Sequence, residues 1–400
     1  MTDSVVQGTC SPLFAQLKSE FEKNFAARGE VGASVCAIVD GDIVVDLYGG
    51  SLDTAPASAW QRNTITRVFS CTKGAVAFCL HLLADRGALD FNADVRKYWP
   101  EFQKHYQQTI PVWMLLNHQA GLPALRSPVT KNDLFDSATL ASRLSTESLF
   151  WEPGTSLAYH ALTFGVLANE LVHRVTGLSV GEFFRREIAA PLDLDFWIGL
   201  PASEDRRVAK TLFPAASTPQ KTLAADSIAA LTKANLGAFL GSLDERETRA
   251  AEIPAGGGFG NARSLAAMYA PLSMEGSHAG RQFISPDAVA RMAQTTAATG
   301  KDQTLGIPTA FSLGFAKSWG VGRMPPGCGY AIGSRAFGHP GMGGSIGFAD
   351  PSARLAFAYT MNQMNSSPSL DERAQSLIDA AYNALGFSHR NTGAWTGPAR

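Results

Sequence analysis

Ser70-Cys71-Thr72-Lys73 follows an extended-looking run at residues 65–69 and opens the apolar segment Gly74-Ala75-Val76-Ala77-Phe78-Cys79-Leu80, which reads as a buried helix. A serine hydroxyl is a poor nucleophile until something takes its proton. A lysine three residues later lies on the same helix face, and a desolvated, neutral amine there can do so. The spacing therefore points to serine acyl transfer. The plain alternative is a helix-capping Ser70 with Lys73 on the surface of the first turn. Cys71 is the weaker candidate for the nucleophile, because position i+1 points away from the face shared by i and i+3. A chain of this composition holds about one Ser-x-x-Lys pair by chance, so the weight of this one comes from its company.

Outward from that stretch the periodicity changes twice. Before it, Ser11 can cap a helix with Pro12 in the first position, and Leu13, Phe14, Leu17, Phe21 and Phe25 recur at helical spacing. Residues 35–39 and 43–48 then read as extended segments flanking Asp40-Gly41-Asp42, a hairpin signal. After it, from about residue 74 to 304, helical periodicity dominates. Breaks fall at Pro111, Gly121-Leu122-Pro123, Pro153-Gly154, Gly177, Pro191 and Gly256-Gly257-Gly258. Strands return at residues 309–316, 345–349 and 355–361, the last two joined through Asp350-Pro351-Ser352-Ala353, and a helix over about 370–385 closes the chain. Strands at both ends and helices between them predict that the termini meet in one sheet with the middle folded as an insertion. The expected division is an α/β lobe from residues 1–75 and 305–400, a helical lobe from 76–304, and a site in the cleft between them.

Composition narrows the partners. Four hundred residues with 45% hydrophobic content make a large core. A formal net charge of -1 with interspersed signs leaves no basic patch for nucleic acid and no polybasic run for an anionic membrane. A small neutral substrate is the expected partner, and no cofactor is implied; the oligomeric state is not set by the sequence. Cys10, Cys36, Cys71, Cys79 and Cys328 are odd in number and lack Cys-x-x-Cys spacing, which predicts free, mostly buried thiols rather than a disulfide framework or a structural metal. The start of the chain lacks the basic and apolar regions of a secretory signal, and no run approaches the ~20 apolar residues of a membrane span, so a cytoplasmic location is expected.

Three further blocks accompany Ser70. They are Leu115-Leu116-Asn117-His118-Gln119-Ala120-Gly121-Leu122-Pro123; the proline-glycine turn Trp151-Glu152-Pro153-Gly154-Thr155-Ser156-Leu157-Ala158-Tyr159-His160-Ala161; and Phe337-Gly338-His339-Pro340-Gly341-Met342-Gly343-Gly344-Ser345 before a strand. In order and spacing, from about residue 30 to 385, these resemble the serine β-lactamase and penicillin-binding-protein superfamily, and within it most of all the class C-like family VIII carboxylesterases. The resemblance implies a class C β-lactamase-like fold, an antiparallel sheet flanked by helices plus a mostly helical lobe. It also implies Ser70 as the acylated nucleophile, Lys73 as general base or proton shuttle, and Tyr159 as the relay of a proton to the leaving group. By the same alignment Gly338-His339-Pro340-Gly341 takes the place of the Lys-Thr-Gly block. The backbone amides of Ser70 and Met342 become the oxyanion hole, and His339 and Gly341 become substrate-binding residues. Trp151, with Phe150 and Trp197, is a large aromatic that can line an apolar substrate cleft, core packing being the commoner fate of such residues.

Two departures from the family pattern bear on the substrate. Ala161 stands where the Tyr-x-Asn block has its amide, and His339-Pro340-Gly341 replaces a permanent cation and a hydroxyl with a mostly neutral imidazole. Both weaken the grip on a β-lactam or a peptidoglycan stem, and uncharged short-chain esters fit better. A β-lactamase or D,D-peptidase, an acyltransferase working through the same acyl-enzyme, and a catalytically silent binding protein are the rival readings. Gly343-Gly344-Ser345-Ile346-Gly347 also satisfies Gly-x-Ser-x-Gly, but that motif works on a strand-to-helix turn and here it runs into a further extended segment.

Overall fold

A computed structural model of the chain describes residues 5–54, 58–214, 223–319, 330–365, 370–389 and 393–397. Nine strands form one sheet: β1 (Val6–Cys10), β2 (Gly32–Val39), β3 (Asp42–Gly50), β4 (Ala297–Thr299), β5 (Thr309–Phe311), β6 (Ala316–Lys317), β7 (Phe337–Pro340), β8 (Ile346–Asp350) and β9 (Leu355–Met361). Their order across the sheet is β1-β3-β2-β9-β8-β7-β6-β5-β4, every neighbouring pair antiparallel. The ends of the chain meet at its centre, where β2 pairs with β9 in the register Val35↔Tyr359. The hairpin between β2 and β3 turns through Asp40 (φ 53°) and Gly41 (φ 90°), the left-handed pair that suits the strand twist.

β9 is buried along its whole length and β2 along all but its last residue, because helices cover both faces. The principal helices are α1 (Ala15–Ala27), α2 (Thr72–Asp85), α3 (Thr163–Thr176), α4 (Ile228–Leu240), α5 (Ala262–Ser273) and α6 (Glu372–Ala384). Successive residues of β8 show the two faces. A side chain at Gly347 would strike Leu265 and Tyr269 of α5, while Phe348 stacks on Tyr382 of α6. α1 packs beside α6, and the buried Asn24 amide donates to the Arg373 carbonyl.

Several expectations shift. β1 was not foreseen; its polar residues Gln7, Gly8 and Thr9 are exposed on an edge strand paired only with β3. Ser11 makes no side-chain cap, and a short 3₁₀ turn, Pro12–Phe14, precedes α1. The single strand expected at 309–316 is two, β5 and β6, folded back through Gly314 (φ 89°). That turn docks where an added Cβ would lie 2.6 Å from the Cβ of Ala77 on α2, with the Gly314 N–H on the Leu116 carbonyl at 3.0 Å. The stretch 76–304 is also less purely helical than expected, since α5 lies on the sheet and β4 is its outer strand. Cys10, Cys36, Cys71 and Cys79 are free thiols; Cys328 lies outside the described residues. Among the described residues no helix is long and apolar enough to cross a membrane.

Candidate active site

A small three-stranded sheet, Thr66–Arg67, Gly258–Gly260 and Phe196–Ile198, delivers the chain to Ser70. The Val68 N–H donates to the Gly258 carbonyl (2.9 Å), and the Thr72 hydroxyl donates to the Phe69 carbonyl (2.6 Å) while accepting from the Gly258 N–H (2.9 Å). These bonds hold a tight turn, Phe69–Cys71, in front of α2. Phe69 is held at φ 45°, a conformation that costs a non-glycine residue about 1–3 kcal/mol and persists only where the surroundings impose it. The turn presents Ser70 to a cavity of about 380 Å³.

Lys73, one turn further on, is completely buried. Its Nζ lies 2.8 Å from the Ala161 carbonyl, 2.7 Å from the Ala255 carbonyl and 3.2 Å from Ser70 Oγ. Loss of hydration holds its proton affinity well below that of an ordinary lysine, and no carboxylate among the described residues pairs with it. A neutral amine has two N–H donors and one lone pair. The two carbonyls take the donors, which leaves the lone pair facing the Ser70 hydroxyl.

Tyr159 closes the group. Its hydroxyl lies 2.8 Å from Ser70 Oγ, and its ring lies 4.9 Å from Lys73 Nζ. Burial pushes the phenol above its usual range, so Tyr159 keeps its proton where Lys73 gives one up. Ring packing against Phe311 (6.0 Å, 9° between planes) and His118 (5.0 Å) fixes the phenol's plane. Ser70, Lys73 and Tyr159 thus converge on one point, as their spacing and blocks predict.

The glycine-rich block lies across from them. β7 carries His339, whose buried ring tilts over Tyr159 at 5.8 Å. Burial, reinforced by Lys73, pushes this imidazole down to about 3, and its Nδ1 lies 2.7 Å from the Pro340 carbonyl, so it faces the cavity as a neutral group. Gly341 is the tight point. A Cβ there would lie 2.3 Å from the Val68 carbonyl and 3.2 Å from Cys71 Sγ, so the strand end is pressed against the nucleophile turn. Met342 lies at the cavity with its side chain 39% exposed.

Trp151 stands apart. Its indole N–H donates to the Gln119 carbonyl (3.3 Å) and its ring meets His160 edge-on, outside the cavity wall. The His118 and His160 rings serve the backbone: His118 Nδ1 accepts from the His160 N–H and His160 Nε2 from the Leu122 N–H. Ser345 is fully buried just before β8, in the middle of the sheet and away from the cavity, with no partner for its hydroxyl among the described residues.

Mainly apolar side chains line the cavity: Leu236 and Phe239 from α4, and Leu305, Ile307 and Phe311 opposite. A second buried lysine, Lys317, also lies on its wall. Its Nζ donates to the Ala293 and Ala336 carbonyls, both at 2.7 Å, and desolvation lowers it to about 8. The sequence reading missed this lysine and the two carbonyl acceptors of Lys73. For Ala255 the one available signal was the break that follows it, Gly256-Gly257-Gly258.

A nine-stranded antiparallel sheet covered by helices, with a Ser-x-x-Lys pair and a tyrosine meeting beside its strand β7, defines a β-lactamase-like serine-active protein. The chain belongs to the beta-lactamase family, whose profile matches residues 19–382. It is 35% identical over 380 residues to the esterase/beta-lactamase LipL of Mycobacterium tuberculosis, a match spanning 90% of this chain and 84% of that protein. The crystal structure of a family VIII carboxylesterase superposes with a TM-score of 0.85 at 38% identity, covering 95% of this chain and 99% of the other. A penicillin-binding-protein homologue from Caulobacter crescentus superposes at 0.84 with 32% identity, covering 95% and 99%.

Proposed function

We propose that this protein is a carboxylesterase that cleaves short-chain, uncharged carboxylic esters through an acyl-enzyme on Ser70. Neutral Lys73 takes the Ser70 proton as Oγ attacks the ester carbonyl, and the carbonyl π electrons move onto oxygen. The amides of Ser70 and Met342 meet that oxyanion; neither N–H donates to a backbone carbonyl among the described residues. The proton passes through Tyr159 to the departing alcohol oxygen as the ester C–O bond breaks. Water then attacks the acyl-enzyme by the reverse relay and releases the acid. The observation that carries this reading is the Lys73 amine site, where full burial and two carbonyl acceptors turn the lone pair of the neutral amine toward Ser70 Oγ, 3.2 Å from Nζ.

Substrate class follows from what the wall lacks. His339 is neutral where the family places a cation, so that position offers no charge to a substrate carboxylate, and the cavity around it is lined mainly by apolar side chains. The relatives named esterases support the same reading. The second name that LipL carries, beta-lactamase, keeps lactam hydrolysis as the rival activity. Acyl transfer to an alcohol uses the same intermediate. We place the enzyme in the cytoplasm on its sequence character.

A panel of acetate, butyrate and longer chromogenic esters with nitrocefin and a D-Ala-D-Ala peptide alongside tests this, together with mass spectrometry after an organophosphonate probe. The expected result is ester turnover above lactam turnover and an adduct on Ser70. Faster nitrocefin or peptide cleavage supports the rival activity, and an absent adduct supports a silent binding protein.

A further inference from the structure

Packing fixes the plane of the Tyr159 ring, but its backbone is held by a group that no sequence block pointed to. Asp302, fully buried just after β4, accepts the Tyr159 N–H on both carboxylate oxygens, at 3.1 and 3.0 Å. Its Oδ1 also accepts from the Thr304 N–H (2.8 Å) and the Leu305 N–H (3.0 Å), and its Oδ2 from the Thr309 hydroxyl (3.2 Å). Its own backbone closes the loop, with its N–H on the Ile307 carbonyl (2.9 Å) and its carbonyl accepting from the Gly306 N–H (2.8 Å). A buried carboxylate is costly unless donors surround it, and these partners are all donors with no cation among them. They fall in two groups. Thr304 and Leu305 belong to the loop that walls the cavity and Thr309 opens β5 at its end, whereas Tyr159 belongs to the segment that brings the phenol to Ser70.

We propose that Asp302 is the positioning residue for Tyr159: its carboxylate locks the Tyr159 backbone to the cavity loop, and so holds the phenol at transfer distance from Ser70 Oγ. The proposal rests on the reading of Tyr159 as proton carrier. Proton transfer depends steeply on distance, and a misplacement of about 1 Å can cost about 100-fold. The loop and the phenol are therefore one unit, so that the wall which meets the substrate is registered against the group that protonates the leaving oxygen.

Two substitutions separate reach from charge. Asp302→Asn keeps an oxygen for the Tyr159, Thr304 and Leu305 N–H groups and removes the charge; Asp302→Ser keeps only the local bond to Thr304 and cannot reach Tyr159. Each is measured in the native background and with Tyr159→Phe, using kcat and KM on a small acetate ester and a thermal melt to verify folding. We expect D302N to stay within a few-fold of native kcat. D302S should lose about 100-fold in kcat with little change in KM, and should lose nothing further once the phenol is gone. Equal losses from D302S with and without the phenol, an unchanged kcat, or an effect confined to KM would each overturn the proposal. Where D302S does not fold, Asp302→Thr replaces it under the same outcomes. Full activity in Y159F alone removes the proton-carrier reading and this proposal with it, whereas an impaired Y159F with additive losses removes only the proposal.

Discussion

Lys73 and Lys317 are both buried lysines, Lys317 on the cavity wall and Lys73 behind Ser70, and both spend two hydrogen bonds on backbone carbonyls. Burial lowers the proton affinity of each, the first far down and the second to about 8. They differ in what the remaining side of the nitrogen sees. At Lys73 it is the Ser70 hydroxyl, with the Tyr159 phenol 2.8 Å beyond; at Lys317 no hydroxyl among the described residues stands within bonding distance. Desolvation alone gives a neutral amine. A base needs a proton donor in the direction of its lone pair and a second group to carry the proton onward.

Removing the hydroxyl should produce the largest effect. Ser70→Ala is expected to lower kcat by at least ~10⁴-fold on an acetate ester, while Ser345→Ala stays near native; equal losses would shift attention to folding or to the second serine motif. Lys73→Met comes next, with a loss of about 10²–10⁴-fold, and Lys317→Met should leave kcat within a few-fold. Comparable losses in the two lysine variants would erase the distinction drawn between their pockets. Tyr159→Phe should cost about 100-fold.

Acidity gives a finer test. Lys73 acts as a neutral base, so kcat/KM should fall as pH drops through its lowered pKa and the amine takes up a proton. That acid limb should be unmoved in K317M. The smallest expected effect is on stability. Below about 8 the folded and unfolded chains both carry the Lys317 proton, and the burial penalty is fully present. From about 8 up to the unfolded value of about 10.4 the unfolded chain binds more protons, so stability rises with pH. Native Tm should therefore climb relative to that of K317M across this window; parallel curves would mean that Lys317 titrates normally.

The sequence announced the first lysine and not the second for a local reason. Ser70 and Lys73 are one helical turn apart, so their meeting is fixed by helix geometry alone. Tyr159 was legible only through its resemblance to a known block, because 89 residues separate it from Ser70. The acceptors at Ala161 and Ala255 are main-chain carbonyls, which every residue possesses and none advertises. Asp302 sits in a loop where an Asx turn is unremarkable, and its decisive partner is 143 residues away. Trp151, singled out for its size, packs behind His160 instead of lining the cavity. In the fold, the central strands were readable from their unbroken apolar runs. β1 was not, since an exposed edge strand with Gln7, Gly8 and Thr9 shows no apolar alternation.

The contact between Gly341 and the Val68 carbonyl bears on how this enzyme could be retooled. A first side-chain carbon would sit only 2.3 Å from that oxygen, so even alanine would wedge the β7 end away from the turn that carries Ser70. Directed evolution toward larger esters therefore has an immovable hinge-post on one bank and negotiable ground on the other. Diversity is best spent at Leu236, where trimming a side chain enlarges the room; Phe239 packs edge-on against Phe69 of the Ser70 turn and is better kept.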